Sequence, residues 1–147
     1  MNVRVGPADL AAVRELRHAL LRPNQAPEDL VYAGDDAPVA LHVGAFDGDR
    51  LVGIASITRE PPPGADDPAA WRVRGMATVP ELRGRGIGGR LLETCLAHAR
   101  SCGGSVVWCN GRVAARAFYE RHGFEVVRGP FEVAGIGPHL ELRRPLG

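Results

Sequence analysis

Residues 71–104 read WRVRGMATVPELRGRGIGGRLLETCLAHARSCGG. Residues 73–79 have the character of a strand, which Pro80 ends. Glycines at positions 84, 86, 88 and 89 then make a turn. Ile87, Leu91, Leu92, Cys95, Leu96 and Ala99 follow at helical spacing, and Gly103-Gly104 offers the left-handed stop. A strand, a glycine-rich turn and a helix in this order build a site for an anion. The first N–H groups of a helix have no partner within it, and the helix dipole adds partial positive charge there. Glycines remove the Cβ atoms that would hold a phosphate away from the backbone. Arg83, Arg85 and Arg90 add full charges on or beside the turn. The chemistry called for is a phosphate or pyrophosphate held mainly by backbone.

Two familiar glycine motifs fit poorly. No GxxxxGK[ST] is present, which argues against a nucleoside-triphosphate loop. Gly84-x-Gly86-x-x-Gly89 does spell GxGxxG, but the dinucleotide fingerprint belongs to a first βαβ unit with an acid about 20 residues on. Here the turn lies mid-chain, and residues 105–111 carry no acid.

The rest of the chain frames this stretch. A length of 147 residues predicts a single domain over residues 1–147. Hydrophobic residues make up 45% and charged residues 24%, which predicts a folded globular chain. A net charge of +1 gives no reason to expect nucleic acid as a partner. The N-terminus MNVRVGPADL has no apolar signal core and no stretch approaches 18 apolar residues, so neither a membrane nor export from the cytoplasm is expected. Cys95, Cys102 and Cys109 form no CxxC pair, and neither a disulfide framework nor a metal site is predicted.

Residues 3–5 read as a short edge strand, followed by a helix with Leu10, Val13, Leu16, Leu20 and Leu21 on its apolar side, ending near Arg22-Pro23. Residues 24–38 are a loop, either a connector or a segment on the substrate side. Residues 39–46 and 51–58 read as a hairpin about Asp47-Gly48, and residues 60–68 as a proline-rich loop. Residues 105–109 read as a buried strand, in a right-handed parallel crossover with the strand before the turn. Asn110-Gly111 is expected to break it. A second helix follows, with Val113, Ala114, Ala117 and Phe118 as its apolar stripe and Gly123 as its cap. Residues 124–127 and 139–142 read as two closing strands, interrupted at Gly129-Pro130 and at residues 135–138.

Arg83-x-x-Gly86-x-Gly88, preceded by Val79-Pro80, resembles the acyl-CoA site of the GNAT superfamily of N-acetyltransferases, whose pattern is [Q/R]-x-x-G-x-[G/A]. That family also carries a strand, an Asn, a helix and a Phe-Tyr-x-[K/R]-x-Gly-Phe ending. This chain has Asn110 and then Phe118-Tyr119-Glu120-Arg121-His122-Gly123-Phe124. Gly135-x-Gly137-Pro138-His139 is similar to the closing strand of small bacterial single-domain members.

The resemblance implies an α/β (α+β) fold: a mixed, mostly antiparallel sheet of about six or seven strands, splayed between two central parallel strands, with three or four helices. It implies acetyl-CoA as cosubstrate and an amine acceptor, a small molecule or a peptide. Met76, Ala77 and Thr78 match the strand that pairs with the pantetheine arm. Arg83, Gly84, Arg85, Gly86, Ile87, Gly88 and Gly89 match the pyrophosphate loop, with Gly75 as a bulge that opens the strand edge. Asn110 would lie near the pantetheine. Tyr119 matches the tyrosine beside the CoA sulfur and would protonate the leaving thiolate; otherwise it is a core aromatic. The base is open among His139, Glu60, His42 and a water relay. His139 is the choice named here, on the Gly-Pro-His similarity. Cys109 as a nucleophile has no visible partner base, and a small core residue is the better reading. Arg72 and Arg74 alternate on one strand, either lining an acceptor pocket that suits a carboxylate or simply solvated. A CoA-sensing module without catalysis is the alternative function. GNAT domains often dimerise, and a homodimer is expected on that resemblance alone.

Overall fold

The computed structural model describes residues 2–147. The described strands form one seven-stranded sheet: β1 (Val3–Pro7), β2 (Leu41–Asp47), β3 (Arg50–Arg59), β4 (Ala70–Thr78), β5 (Val106–Arg112), β6 (Glu125–Val133) and β7 (Gly137–Pro145). Their order is β1-β2-β3-β4-β5-β7-β6, and every neighbouring pair is antiparallel except β4 and β5. The helices are α1 (Leu10–Leu21), α2 (Ile87–Ser101) and α3 (Arg116–Arg121).

α2 is the crossover between the two parallel strands. All six of its apolar positions, Ile87, Leu91, Leu92, Cys95, Leu96 and Ala99, are buried against the sheet. Burying each leucine contributes about 1.5–3 kcal/mol relative to leaving it exposed. The helix stops where the glycine pair predicts, with Gly103 at φ +80° and the Gly104 N–H bonded to Ala99 O at 2.8 Å. β3 lies between α1 and α2. A Cβ on Gly53 would meet Leu91 of α2 at 3.1 Å, whereas Ser56, three residues on and so on the other face, bonds Arg17 of α1. Both faces of β3 are covered, which is why residues 52–58 are buried without alternation.

β4 and β5 pair only through Ala70↔Val106, Trp71↔Val107 and Arg72↔Trp108. Beyond that they part, β4 staying with β3 up to Thr78 and β5 staying with β7 up to Arg112. The expected bulge is in β4. Register jumps from Ile54↔Ala77 to Ser56↔Arg74, so Gly75 and Met76 together oppose Ala55. Gly75 has φ +67°, a conformation that glycine adopts without penalty.

Three expectations about the C-terminal third fail. β5 runs through Asn110-Gly111 instead of breaking there, because Gly111 pairs with Leu140 and gives clearance to an aromatic ring: a Cβ on it would sit 2.7 Å from Tyr119 Cε2. The segment after β5 begins as a 3-10 turn at Val113–Ala115, and α3 is only six residues long. Its buried side is therefore not Val113, Ala114 and Ala117, which are exposed, but Ala115, Phe118 and Tyr119. Tyr119 lies on the packed side. Finally, β6 continues through Gly129-Pro130 by shifting register, and the break at Gly135-Ile136 is the turn of a long β6–β7 hairpin.

Candidate active site

The divergence of β4 from β5 opens a cleft of about 550 Å³ across the middle of the sheet. One wall is the edge of β4 from Val73 to Thr78, where no described strand pairs on the β5 side. Backbone N–H and C=O groups along such an edge need partners, and a ligand bearing amides can supply them. Met76, Ala77 and Thr78 all line this wall. Asn110 on β5 faces them, and its Oδ1 is buried without a hydrogen-bond partner. A buried acceptor left unpaired is costly, and a donor brought into the cleft would relieve it.

The glycine turn stands at one end. Arg83 and Gly88 line the cleft, while Gly84, Arg85 and Gly86 stay exposed beside it. Gly86 caps α2 at φ +80°, and a Cβ on either Gly84 or Gly86 would meet nothing within 4 Å. The turn thus presents bare backbone at the start of a 15-residue helix. Arg83 is tied to the end of β4 through Nε to Thr78 O at 3.1 Å. Two residues of the turn have packing duties. The Ile87 side chain is buried in the core, and a Cβ on Gly89 would come 2.9 Å from His122 Nε2, so glycine there lets α2 approach the end of α3.

Tyr119 and His139 line the same cleft. Tyr119 is 8% exposed, wedged between Phe118 and Phe124, with its hydroxyl 3.9 Å from Met76 Sδ and the Cys109 sulfur beside it. Burial, and then Cys109, raise the phenol above its usual range, so the hydroxyl holds its proton. His139 is 6% exposed, and its Nδ1 lies 2.9 Å from Gly137 O. A carbonyl only accepts, so Nδ1 donates and the neutral ring carries its lone pair on Nε2. Cys109 is buried and its thiol is pushed up to about 12 by desolvation, which keeps it a protonated core residue.

The other two named bases lie elsewhere. Glu60 pairs with Arg72 at 2.9 Å and is not part of the cleft wall. His42 has both nitrogens engaged, Nδ1 with Ser56 Oγ at 2.7 Å and Nε2 with Asp35 O at 2.9 Å, in a small cavity next door.

Residues 10–124 match the model of the Acetyltransferase (GNAT) family. The chain belongs to that family. It is 33% identical over 132 residues to YitI, an N-acetyltransferase of Bacillus subtilis, covering 90% of this chain and 89% of YitI. Solved structures share the fold over nearly all of both chains. The NatC complex bound to Gag peptide and CoA matches at a TM-score of 0.81 and 20% identity, covering 100% of each chain. Escherichia coli ElaA matches at 0.80 and 22%, covering 97% of this chain and 98% of its own. The splayed seven-stranded sheet is thus a GNAT sheet and the chain an acetyltransferase of this family. None of its described helices is long and apolar enough to cross a membrane.

At the far end of this GNAT cleft, reasoning from the sequence named Arg72 and Arg74, which both line it, and missed Arg17 and Tyr32. Arg17 of α1 is 0% exposed, held by Asp35 (Nη1–Oδ2 2.8 Å, Nη2–Oδ1 3.2 Å), Leu30 O and Ser56 Oγ. Its guanidinium carbon lies 3.9 Å from the centre of the Tyr32 ring, and that of Arg74 lies 3.8 Å from the same centre. Two guanidinium groups that close cannot share one face of a ring, so Tyr32 is sandwiched between them. Only a buried cation four residues after Val13 on α1 hinted at this. The loop at residues 24–38 is more than a connector, since it brings Tyr32 to the cleft and Asp35 to Arg17.

Proposed function

We propose that this chain transfers the acetyl group of acetyl-CoA to a primary amine by direct attack, with Tyr119 as the proton donor to the CoA thiolate and His139 as the base. The observation that carries the proposal is one continuous cleft running from the glycine turn past the open β4 edge to Tyr119 and His139. The CoA bound in the NatC structure supports the choice of cosubstrate.

In this reading the backbone of residues 84–89 holds the pyrophosphate, with Arg83, Arg85 and the dipole of α2 supplying charge. The pantetheine amides pair with β4 at Met76, Ala77 and Thr78, and Asn110 Oδ1 accepts from an amide N–H on the opposite wall. The ammonium of the acceptor gives a proton to His139 Nε2, and its nitrogen attacks the thioester carbonyl. A tetrahedral oxyanion forms, which a β4 backbone N–H stabilises. Collapse breaks the C–S bond and leaves CoA as a thiolate, which takes the Tyr119 proton; the amide nitrogen then sheds its second proton, which restores the phenol, and His139 passes its own to solvent. A phenol with a raised pKa donates poorly to a solvated thiolate. Desolvation in this pocket raises thiols as well, as it does Cys109, which narrows the difference in acidity between the phenol and the leaving sulfur.

Tyr119→Phe is expected to lower kcat by about 100-fold, the usual contribution of a positioned acid, with little change in KM for acetyl-CoA. Thiol release under saturating acetyl-CoA measures it, and wild-type turnover in the variant removes Tyr119 from the chemistry. His139→Ala is expected to lower kcat/KM by about 100-fold and to abolish the acidic limb of the pH–rate profile that a histidine base imposes. An unchanged profile would make His139 structural.

A further inference from the structure

The end of the cleft away from the glycine turn is cationic. Arg22, Arg72, Arg74 and Arg112 line it, and among the described residues no aspartate or glutamate contributes to the lining. Arg72 is neutralised by Glu60 at 2.9 Å and lies over Trp108. The other three have no ion pair among the described residues. Arg74 lies over Tyr32, Arg22 donates Nη1 to Leu21 O at 2.7 Å, and Arg112 is exposed at the end of β5. Desolvation and then a neighbouring guanidinium (Arg112 for Arg22, Arg72 for Arg74) disfavour the charged forms. Arg22 also feels Tyr32, the ring on which Arg74 is stacked.

Like charges gathered in a half-buried cleft repel one another, and an anion entering it relieves that repulsion. The arrangement is also fixed in place. Asp35 neutralises Arg17 on the far face of Tyr32, so the buried layer of the sandwich carries no net charge and Arg74 is the layer whose charge reaches the cleft.

We infer that the acceptor is an amine that also bears an oxyanion, a carboxylate or a phosphate, which Arg74 receives with Arg22 and Arg112. This rests on the acetyl-transfer reading above and specifies its second substrate. A guanidinium presents a planar fork that matches either oxyanion, so Arg74 orients the acceptor while its amine reaches the thioester. Arg17, Tyr32 and Asp35 act as positioning residues behind it. Polyamines and other purely cationic amines are disfavoured at this end by the same charges.

Thiol release from acetyl-CoA by the full chain, with matched acceptor pairs, tests this. The pairs are L-glutamate against its diamide and O-phosphoethanolamine against ethanolamine, with spermidine as the cationic probe. The anionic member of one pair is expected to show a kcat/KM higher by about tenfold or more, and which pair responds identifies the oxyanion. Arg74→Gln raises KM for that acceptor by about 10- to 100-fold, the loss of a charge-assisted pair, and leaves KM for acetyl-CoA in place. Arg112→Gln, at an exposed residue outside the packing, raises it several-fold and covers the case in which Arg74→Gln disturbs folding. Equal or faster turnover of the diamide, ethanolamine or spermidine overturns the inference while leaving acetyl transfer intact. Should none of these amines be acetylated, calorimetry of glutarate and of inorganic phosphate with the CoA-loaded protein decides. Binding lost in Arg74→Gln supports the receptor, and no binding of either anion overturns it. Failure of the wild type to bind acetyl-CoA would bring down the transfer reading and this one with it.

Discussion

Gly86→Glu is expected to weaken acetyl-CoA binding by about a thousandfold while the protein still folds. Gly86 sits at φ +80° with open space where a Cβ would go, at the cap of α2. A glutamate there directs a carboxylate into the space assigned to the pyrophosphate. Like charges about 4 Å apart at a protein surface repel by roughly 4 kcal/mol, or about three decades in Kd. The left-handed backbone adds about 1–2 kcal/mol of strain to the fold itself. Gly86→Ala carries that strain without the charge, so comparison of the two variants separates them. Calorimetry with acetyl-CoA and circular dichroism on wild type, Gly86→Ala and Gly86→Glu are the measurements. Binding by Gly86→Glu as tight as that of Gly86→Ala would mean that no phosphate rests on the turn. No binding by the wild type would remove acetyl-CoA as cosubstrate.

Asp35→Ala is expected to destabilise the fold by about 3–5 kcal/mol, the usual cost of stranding a buried charge. Arg17 is 0% exposed and Asp35 is its neutralising partner, with Arg14 at 3.3 Å and the Tyr32 N–H at 2.9 Å completing the carboxylate's contacts. Burial opposes ionisation of Asp35, but the hydrogen bonds from Arg17 and Tyr32 outweigh it and hold the carboxyl below the usual carboxylate range. A depressed folded pKa contributes stability that is fully present above the unfolded value, about 3.9, and is lost as pH falls through the lower folded value. Wild type therefore loses this contribution in acid, and Asp35→Ala lacks that part of the pH dependence. The double variant Arg17→Met/Asp35→Ala removes the stranded charge and should recover much of the loss. Urea titrations at neutral and acid pH measure all three chains. A loss under about 1 kcal/mol in Asp35→Ala would show that Arg17 finds water or another partner, and the sandwich on Tyr32 would no longer be rigidly backed.

How much of the molecule could be read in advance depended on whether the signal was local. The six apolar positions of α2, the glycine pair that ends it, the Asp47-Gly48 hairpin turn and the β4–α2–β5 crossover depend on neighbours a few residues away, and they lie where the spacing put them. The residues of the glycine turn, the β4 edge, Asn110, Tyr119 and His139 were nameable because motif and family pattern preserve them in order along the chain. Errors arose where a residue answers to something distant. Gly111 looked like a strand breaker, yet it is glycine because the Tyr119 ring passes against it. The apolar stripe of α3 was misassigned because a 3-10 turn resets the phase by which side chains are counted onto faces.

The sequence by itself determined the fold family, the crossover and the geometry of the glycine turn, since strand, turn and helix carry their conformational preferences wherever they are placed. Only the tertiary structure decided what faces the cleft's other end. Arg17, Tyr32, Arg74 and Arg112 come from one helix, one loop and two strands, and neither spacing nor propensity marks them as a group. Arg17 falls on the apolar face of α1, seven residues after Leu10 and four after Val13, but its neutralising partner Asp35, eighteen positions on, meets it only once the chain has folded. Long-range electrostatic pairing has no signature in local sequence, so the cationic end of the cleft exists only once the chain has closed on itself.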